Sequence, residues 1–302
     1  MCIRDRLSSE IRSEITIDVN EFKNIYDIIP KLAVILVGND PASQVYVRNK
    51  QRSAISVGMD AIDYKFSSDD NSESVIKLIY QLNNDPLTHG ILVQLPLPSN
   101  FDKDKIINSI DPLKDVDGLH PFNVGLVSLG QPRFVPATPY GISEMLIRNN
   151  LEVEGSNIVI IGRSNIVGIP LGNLFVQKLK NFNSTITICH SNTKNISEYT
   201  KNADIVMAAL GRANFLTADM VRENTIIIDV GINRVEDNTK KSGFRLVGDV
   251  DYDSMIGHVK AITPVPGGVG PMTIAMLLKN TYKAALIQNC LLYTSDAADE
   301  GL

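Results

Sequence analysis

The sequence predicts an α/β protein with two domains, each built on a parallel sheet that helices cover. Its 302 residues exceed the usual size of a single domain. Short runs rich in Val and Ile alternate with stretches of helical periodicity, which is typical of parallel sheets with helices on both faces. The proline-rich stretch "PATPYG" (136–141) separates two such series. We therefore predict a first domain over 7–140 and a second, doubly wound domain over 141–270.

The first series begins with "LSSEIRSEI", which has helical spacing, and continues with a buried strand over 31–38. Asp40 is predicted to cap the next helix, because a proline follows it at the first helical position. An amphipathic helix is predicted over 72–85. The apolar stretch 90–98 predicts a strand that must stop at its own prolines.

The second series begins with a strand over 157–162, followed by a turn and a helix in "RSNIVGIPLGNLFVQKL". Three more β-runs follow, in "STITICHS", "ADIVMAAL" and "TIIIDVGIN". Four β-runs at this spacing predict the doubly wound arrangement of the second domain. The series closes with a Gly/Pro-rich loop and a long apolar helix.

The composition limits the partners of the protein. A net charge of −5 argues against a protein that binds nucleic acid or an anionic membrane. No apolar run reaches the roughly 20 residues that a bilayer span needs. The first residues also lack the basic-then-apolar pattern of a secretory signal. We therefore expect a cytoplasmic protein without nucleic-acid or membrane partners.

Both ends of the sequence have an unusual coding potential. Codons for "MCIRD" and "CLLYTSDAADE" can be chosen as reverse complements of each other, and they resemble a transposon end used to prepare sequencing libraries. We therefore expect residues 1–6 and 290–302 to be translated adapter. Only Cys189 of the three cysteines then remains, which fits a reducing compartment.

A nucleotide site is indicated by "NIVIIGRSNIVGIP", which lies between the first strand and first helix of the second series. Gly162 allows a tight turn, Gly168 allows close approach, and the helix start offers unpaired N–H groups to a phosphate. The G-x-G-x-x-G fingerprint is absent, so an ordinary strand-to-helix turn is the alternative.

The end of the next strand bears on the choice of cofactor. Enzymes that use NAD usually carry an acidic residue there for the ribose 2′-hydroxyl, whereas this chain has "CHSNT" (189–193). Arg163 in the first loop can meet a 2′-phosphate, and Ser191 adds a hydroxyl group. The pattern favours NADP over NAD.

Nine blocks of sequence together resemble one family, the bifunctional methylenetetrahydrofolate dehydrogenase/methenyltetrahydrofolate cyclohydrolases. The blocks are "VGNDPASQVYVRNK", "GILVQLPLP", "DPLKDVDGLHPFNVG", "PATPYG", "GRSNIVGIP", "CHSNT", "DVGIN", "GDVD" and "TPVPGGVGPMT". They follow the family's order over residues 7 to 289. The family usually opens with a further short strand that contains an "IDGK"-like turn, and this chain lacks it.

The resemblance implies two activities and a fold. An NADP-dependent oxidation would convert 5,10-methylenetetrahydrofolate to 5,10-methenyltetrahydrofolate, and hydrolysis would then give 10-formyltetrahydrofolate. The second domain would be a Rossmann-like NADP-binding domain, and a cleft between the two domains would hold the folate. A C-terminal helix at about 271–289 would complete the folate-binding catalytic domain.

The resemblance also implies a catalytic lysine. Tyr46 and Lys50 are four residues apart and share one helix face. Lys50 would face the folate and act on the water of the hydrolase step, and Tyr46 would line the pocket. Without the resemblance, a surface lysine and a core tyrosine are the expected interpretations. Gln94 would hold the amine without stabilising its charge, and Asp117 of "KDVDG" would bind the folate ring.

The remaining candidate positions have either a local interpretation or a role that the resemblance implies. Asp115, next to Asp117, has the simpler interpretation of a turn cap. Ile232 would offer its backbone to the nicotinamide, although an isoleucine there otherwise indicates core. No metal site is expected, because Cys189 and His190 lack partners at ligand spacing. The remaining implied contacts are Leu95, Pro266, Gly267 and Gly270 for the folate and Ser164 for the cofactor.

Two alternatives stay open. One is a monofunctional dehydrogenase that uses NAD or NADP, and the other is a non-enzymatic nucleotide-binding protein on the same fold. Lys50, Gln94 and Arg163 together argue against the first. The set of Tyr46, Lys50, Gln94 and Asp117 argues against the second. By resemblance the partners are tetrahydrofolate derivatives and a second copy of the chain, paired mainly through the cofactor domain.

Overall fold

The computed structural model of the chain describes residues 6–240 and 243–299. These residues form two compact units. The three-stranded unit comprises Ser9–Gly125, Arg133–Ala137 and residues from Ile274 onward, and the five-stranded unit comprises Leu126–Pro132, Thr138–Thr273 and residues 6–8. The two-domain α/β class with parallel sheets is therefore confirmed, while the limits predicted at 140 and 270 stay predictions.

The helices and strands follow the predicted order along the chain, with some additional elements. The first half contains α1 (Arg6–Tyr26), β1 (Lys31–Val37), α2 (Pro41–Ser56), β2 (Asp60–Phe66), α3 (Ser72–Asn84), β3 (Gly90–Val93), α4 (Lys103–Asn108), α5 (Pro121–Ser128) and α6 (Ala137–Arg148). The second half contains β4 (Asn157–Ile161), α7 (Gly168–Phe175), β5 (Thr185–Cys189), α8 (Ile196–Thr200), β6 (Ile205–Ala208), β7 (Ile226–Asp229), β8 (Asn233–Glu236), β9 (Phe244–Val247), α9 (Tyr252–Met255), β10 (Ala261–Ile262) and α10 (Val269–Asp299).

The sheet of the three-stranded unit has the order β2-β1-β3, and all of its strands are parallel. Strand β1 lies in the centre and is buried over almost its whole length, as its run of Val, Ile and Leu predicts. Strand β2 has no counterpart in the sequence prediction. It is an edge strand with exposed polar residues such as Asp60 and Lys65, so it lacks the apolar run of a central strand.

Helix α2 begins as its sequence predicts. The Asp40 carboxylate accepts a hydrogen bond from the Ser43 backbone N–H (2.7 Å), and Pro41 occupies the first turn. The cap fixes the start of the helix that carries Tyr46 and Lys50. Strand β3, which is also confirmed, ends at Val93, immediately before Gln94.

The five-stranded sheet is parallel and has the order β5-β4-β6-β7-β10. In a doubly wound sheet of this order, ligands bind at the carboxyl ends of the strands where the direction of winding reverses. Here that switch point lies between β4 and β6. An antiparallel hairpin of β8 and β9 follows β7 and was not predicted.

Helix α10 is longer than the predicted 271–289 and begins at Val269. Gly270 therefore lies in its first turn rather than in the preceding loop. The helix also includes residues 290–299 of the expected adapter. Residues 1–5 and 300–302 lie outside the described residues, and the adapter hypothesis stays a prediction.

Candidate active site

A buried lysine and a glutamine form the centre of the site in the three-stranded unit. Lys50, in α2, is only 8% exposed, and its Nζ donates a hydrogen bond to Gln94 Oε1 (2.9 Å). Gln94 Nε2 donates to the Leu95 carbonyl (2.7 Å), and its backbone N–H donates to the Ile35 carbonyl (2.8 Å). Because Leu95 takes the amide N–H, the amide oxygen is the atom that faces the amine.

The surroundings of Lys50 favour its neutral form. Burial lowers the pKa of Lys50, and the negative charge of Asp117 opposes this shift. Burial also raises the pKa of Asp117. The positive charge of Lys50 opposes this shift, and the negative charge of Asp115 adds to it. Gln94 adds no charge to this balance. An amine in such a place can act as a base nearer neutral pH than a lysine in water can.

The other predicted folate contacts divide between the two units. Tyr46 lies one turn before Lys50 on the same face of α2 and is partly buried, which raises its phenol pKa. Leu95 follows Gln94 and is also partly buried. In contrast, Pro266 and Gly267 lie in the five-stranded unit, on the loop between β10 and α10, where Gly267 has a φ of +100°. Gly270 lies in that unit as well.

The loop that carries Asp117 is fixed from two sides. Asp115 is 1% exposed and accepts hydrogen bonds from the His120 N–H (2.8 Å) and the Asn123 side chain (2.8 Å), which confirms its turn-capping role. From α10, Asn280 Nδ2 donates to the carbonyl groups of Val116 and Val135, both at 2.9 Å. Asn280 was missed by sequence reasoning, although an asparagine inside the apolar run "AMLLKNTYKAAL" is a usable signal.

Replacing Asn280 with leucine is expected to lower the free energy of unfolding by about 1–3 kcal/mol, because a buried carbonyl group and a partly buried one lose their donor. The measurement is the shift of the urea unfolding midpoint. Asn289→Leu is the matched control, since that side chain donates to Ala285 of its own helix. Equal shifts for the two variants would contradict the bridging role of Asn280.

The turn after β4 is as tight as its glycines predict. Gly162 has a φ of +126°, and a Cβ there would lie 2.1 Å from the Ala209 carbonyl oxygen. A Cβ at Gly168 would lie 2.1 Å from the Gly162 carbonyl oxygen. Within the described structure, no side chain caps the start of α7. The Ile169 N–H donates to the Ser164 carbonyl (3.1 Å) and Pro170 has no N–H, so the Gly168 N–H is the donor that the first turn of α7 offers to a phosphate at the switch point of the sheet.

The turns after β4 and β5 lie side by side. Gly162 N–H donates to the Cys189 carbonyl (2.9 Å), which brings the loops of Arg163 and Ser191 together. Both of these side chains are exposed. Ser164 stabilises its own turn, because its Oγ accepts from the Val167 N–H (3.2 Å). No acidic residue lies in "CHSNT", so nothing there repels a 2′-phosphate.

Ile232 lies three residues beyond the end of β7, and its side chain is 47% exposed. The alternative interpretation of this residue as core is therefore wrong.

Cys189 is buried at the end of β5. Among the described residues there is no group of three His, Cys, Asp or Glu side chains that could hold a metal ion. None of the described helices is long and apolar enough to cross a bilayer.

Fold and site together are those of a two-domain, nucleotide-dependent enzyme that has a buried lysine in its three-stranded unit. Comparisons with known proteins identify the family. The catalytic domain of tetrahydrofolate dehydrogenase/cyclohydrolase matches residues 4–117, and the NAD(P)-binding domain of the same enzymes matches residues 136–289. The chain belongs to the tetrahydrofolate dehydrogenase/cyclohydrolase family, which confirms the resemblance and the pair of activities that it implies.

Similar proteins cover nearly the whole chain. The bifunctional protein FolD of Chlorobium phaeobacteroides is 53% identical over 281 residues, which is 92% of this chain and 95% of that protein. Two solved structures are also similar. FolD of Campylobacter jejuni has a TM-score of 0.88 at 44% identity, covering 94% of this chain and 98% of that one. The Trypanosoma brucei enzyme, complexed with NADP cofactor and inhibitor, has a TM-score of 0.89 at 35% identity, covering 94% and 97%.

Proposed function

We propose that this chain oxidises 5,10-methylenetetrahydrofolate with NADP⁺ and hydrolyses the product, 5,10-methenyltetrahydrofolate, to 10-formyltetrahydrofolate, with Lys50 acting on the water. The observation that carries the assignment of Lys50 is its hydrogen bond to Gln94 Oε1 at 2.9 Å in surroundings that lower its pKa. Homology supports the two reactions, and the geometry supports the roles of the residues.

In the oxidation, the protein mainly orients the reactants. Bound NADP⁺ supplies the acceptor for the hydride of the methylene bridge. The close backbone packing at Gly162 and Gly168 fixes the turn before α7, and the Gly168 N–H at the start of that helix would bind a phosphate of the cofactor. In the other unit, Tyr46 offers a flat ring to the aromatic part of the folate, and Asp117 accepts hydrogen bonds from its aminopyrimidine ring.

In the hydrolysis, water adds to the methenyl carbon and loses a proton. Neutral Lys50 accepts this proton and a carbinol forms. The bond between the carbinol carbon and N5 then breaks as the remaining hydroxyl proton is transferred to N5, which leaves the formyl group on N10 and an N–H at N5. Gln94 keeps the amine in place through a neutral oxygen. A carboxylate at the same position would raise the pKa of Lys50 and keep it protonated.

The choice of NADP over NAD depends on Arg163. Replacing Arg163 with glutamine is expected to raise the KM for NADP⁺ by about 10- to 100-fold, because a charge-assisted hydrogen bond to the 2′-phosphate is lost. The KM for NAD⁺ should change little, since NAD⁺ has no phosphate there. Steady-state kinetics with both cofactors measure the two values. A parallel rise for NAD⁺ would show that Arg163 does not read the 2′-phosphate.

One progress curve tests the proposed function as a whole. The protein is mixed with methylenetetrahydrofolate and NADP⁺, and NADPH, the methenyl intermediate and formyltetrahydrofolate are followed together. NADPH and the formyl product should rise while the methenyl species stays low. Accumulation of the methenyl species, hydrolysed only at its uncatalysed rate, would instead favour a monofunctional dehydrogenase. A folded sample that forms no NADPH or NADH from either cofactor would favour the nucleotide-binding protein.

We also propose a cytoplasmic homodimer that pairs through the five-stranded unit. Exposed apolar side chains of that unit support this: Leu129 is 74% exposed and Val176 57%. Sedimentation equilibrium tests it, and a monomer at all concentrations would contradict it.

A further inference from the structure

Two buried aspartates interlock at the carboxyl edge of the five-stranded sheet, and the mechanism above does not use them. Asp229 ends β7 and is 3% exposed, and Asp249 follows β9 and is 0% exposed. Asp229 Oδ1 accepts from the Gly231 N–H (3.0 Å) and the Asp249 N–H (2.9 Å), and its Oδ2 accepts from the Val250 N–H (3.1 Å). We call these two residues the aspartate pair.

Glycines next to the two aspartates make this close packing feasible. A Cβ at Gly248 would lie 1.7 Å from Asp229 Oδ2, and a Cβ at Gly231 would lie 2.2 Å from Asp249 Oδ1. Each aspartate therefore occupies the space beside the glycine of the other motif. This reciprocal arrangement explains why the chain has glycine within both "DVG" and "GDV".

Asp249 connects the pair to a second loop. Its Oδ2 accepts from the backbone N–H groups of Leu210 (2.7 Å) and Gly211 (2.9 Å), directly after β6. Its Oδ1 accepts from Asn233 Nδ2 (2.9 Å) at the start of β8. One carboxylate thus holds the loop after β6 and the segment after β7 together.

These loops lie where the sheet topology places a ligand. The loop after β6 begins with Ala209, whose carbonyl oxygen packs against Gly162 of the turn after β4. The carboxyl ends of β4 and β6 form the switch point of the sheet. The aspartate pair therefore sets the backbone on the β6 and β7 side of the nucleotide site.

A stabilising role alone is a weak explanation for this arrangement. Burying two carboxylates is unfavourable unless hydrogen bonds satisfy them, and apolar residues fill such a space with a smaller penalty. Burial raises the pKa of Asp229 to about 7, even though three N–H groups donate to it. Apolar side chains accept no hydrogen bonds, whereas the two aspartates bind backbone N–H groups and so fix the conformation of the loops after β6 and β7.

We propose that Asp249, supported by Asp229, is a positioning residue for the dinucleotide: it holds residues 210–211 and 230–233 against the nicotinamide half of the cofactor. The proposal rests on the proposed function and extends it to residues that were given no role. Neither aspartate is a catalytic residue, because each acts through the backbone that it holds.

A polarity swap tests the proposal. In Asp249→Asn the amide oxygen must still accept from residues 210 and 211, so its NH₂ group faces the NH₂ group of Asn233. The affinity for NADPH, measured by fluorescence titration, is expected to fall about tenfold. Adding Asn233→Asp restores a donor and an acceptor with reversed polarity, so the double variant should recover most of the affinity. Hydrolysis of methenyltetrahydrofolate, which needs no cofactor, should stay unchanged in both variants.

Several outcomes would overturn the proposal. They are wild-type affinity for NADPH in Asp249→Asn, no recovery in the double variant, or an equal loss of the hydrolase activity. If Asp249→Asn fails to fold, the Asn233→Ala variant replaces it, because this change removes one contact of Asp249 and keeps both aspartates. The affinity of Asn233→Ala for NADPH should fall several-fold. An unchanged affinity would contradict the proposal. Wild-type protein that binds NADPH but oxidises no folate would refute the proposed function and leave the affinity test of Asp249 intact.

Discussion

Replacing Lys50 with methionine is expected to lower the turnover of methenyltetrahydrofolate hydrolysis by about 10²- to 10⁴-fold, the usual contribution of a general base. Methionine retains most of the length and the apolar part of the side chain, so the buried space stays filled. The affinity for NADPH should not change, since Lys50 lies in the three-stranded unit and the glycine turn in the other. Stopped-flow decay of the methenyl absorbance measures the turnover.

The pH dependence of the wild-type protein gives a second readout for Lys50. The neutral amine is the active form, so hydrolysis should increase as pH rises through the pKa of Lys50. Burial lowers that pKa below 10.5, and the midpoint of the rise should therefore lie below this value. The rise should disappear in Lys50→Met.

A matched control uses Lys77, which is an exposed lysine on α3 of the same unit. Lys77→Met makes the same chemical change at the surface, and its turnover should equal that of the wild-type protein. If Lys50→Met, with an unchanged melting temperature, hydrolyses the methenyl substrate at the wild-type rate, then the amine is not the base.

Replacing Asp117 with asparagine is expected to raise the KM for methylenetetrahydrofolate by about 10- to 100-fold, because the folate ring loses a charged acceptor. A second effect follows from the charge. Asp117 raises the pKa of Lys50, so its removal should shift the rise of hydrolysis to lower pH. Steady-state kinetics of both steps across a pH series measure both changes.

The two effects of Asp117 separate its roles. A higher KM with an unshifted pH profile would contradict the electrostatic coupling to Lys50, and the reverse result would contradict the folate contact. Asp104→Asn is the control, because the Asp104 side chain is 84% exposed. It should change neither quantity.

The central strands were predictable because each is a continuous apolar run in a sheet that helices cover. Strands β1, β4, β6 and β7 are of this kind, and they determine the fold class. Strand β2 was missed because an edge strand needs no such run, and β8 and β9 were missed because they form an exposed hairpin. Local sequence patterns describe burial, and these elements are only partly buried.

The site was predictable only where a family pattern supplied it. A lysine four residues after a tyrosine predicts a surface residue by itself, and the burial of Lys50 depends on contacts with Gln94, which is 44 residues away. The links of Asp229 to Asp249 and of Asn280 to Val116 also join distant parts of the chain. Such contacts exist only once the chain has folded, so propensity and periodicity do not reveal them.

The position of Asn280 in α10 has a consequence for how the protein matures on the ribosome. The stretch Ser9–Gly125 is synthesised first, then Thr138–Thr273, and α10 follows. Several carbonyl groups of the first stretch therefore lack their hydrogen-bond donors until α10 has been synthesised. Asn280 donates to Val116, and Gln288 donates to His89 and Leu113. At translation rates of about 5–20 residues per second, the interval is roughly 8–30 s for the 155 residues from 125 to 280. A nascent chain should thus acquire its nucleotide-binding unit before its lysine site, and competence for hydrolysis should come last.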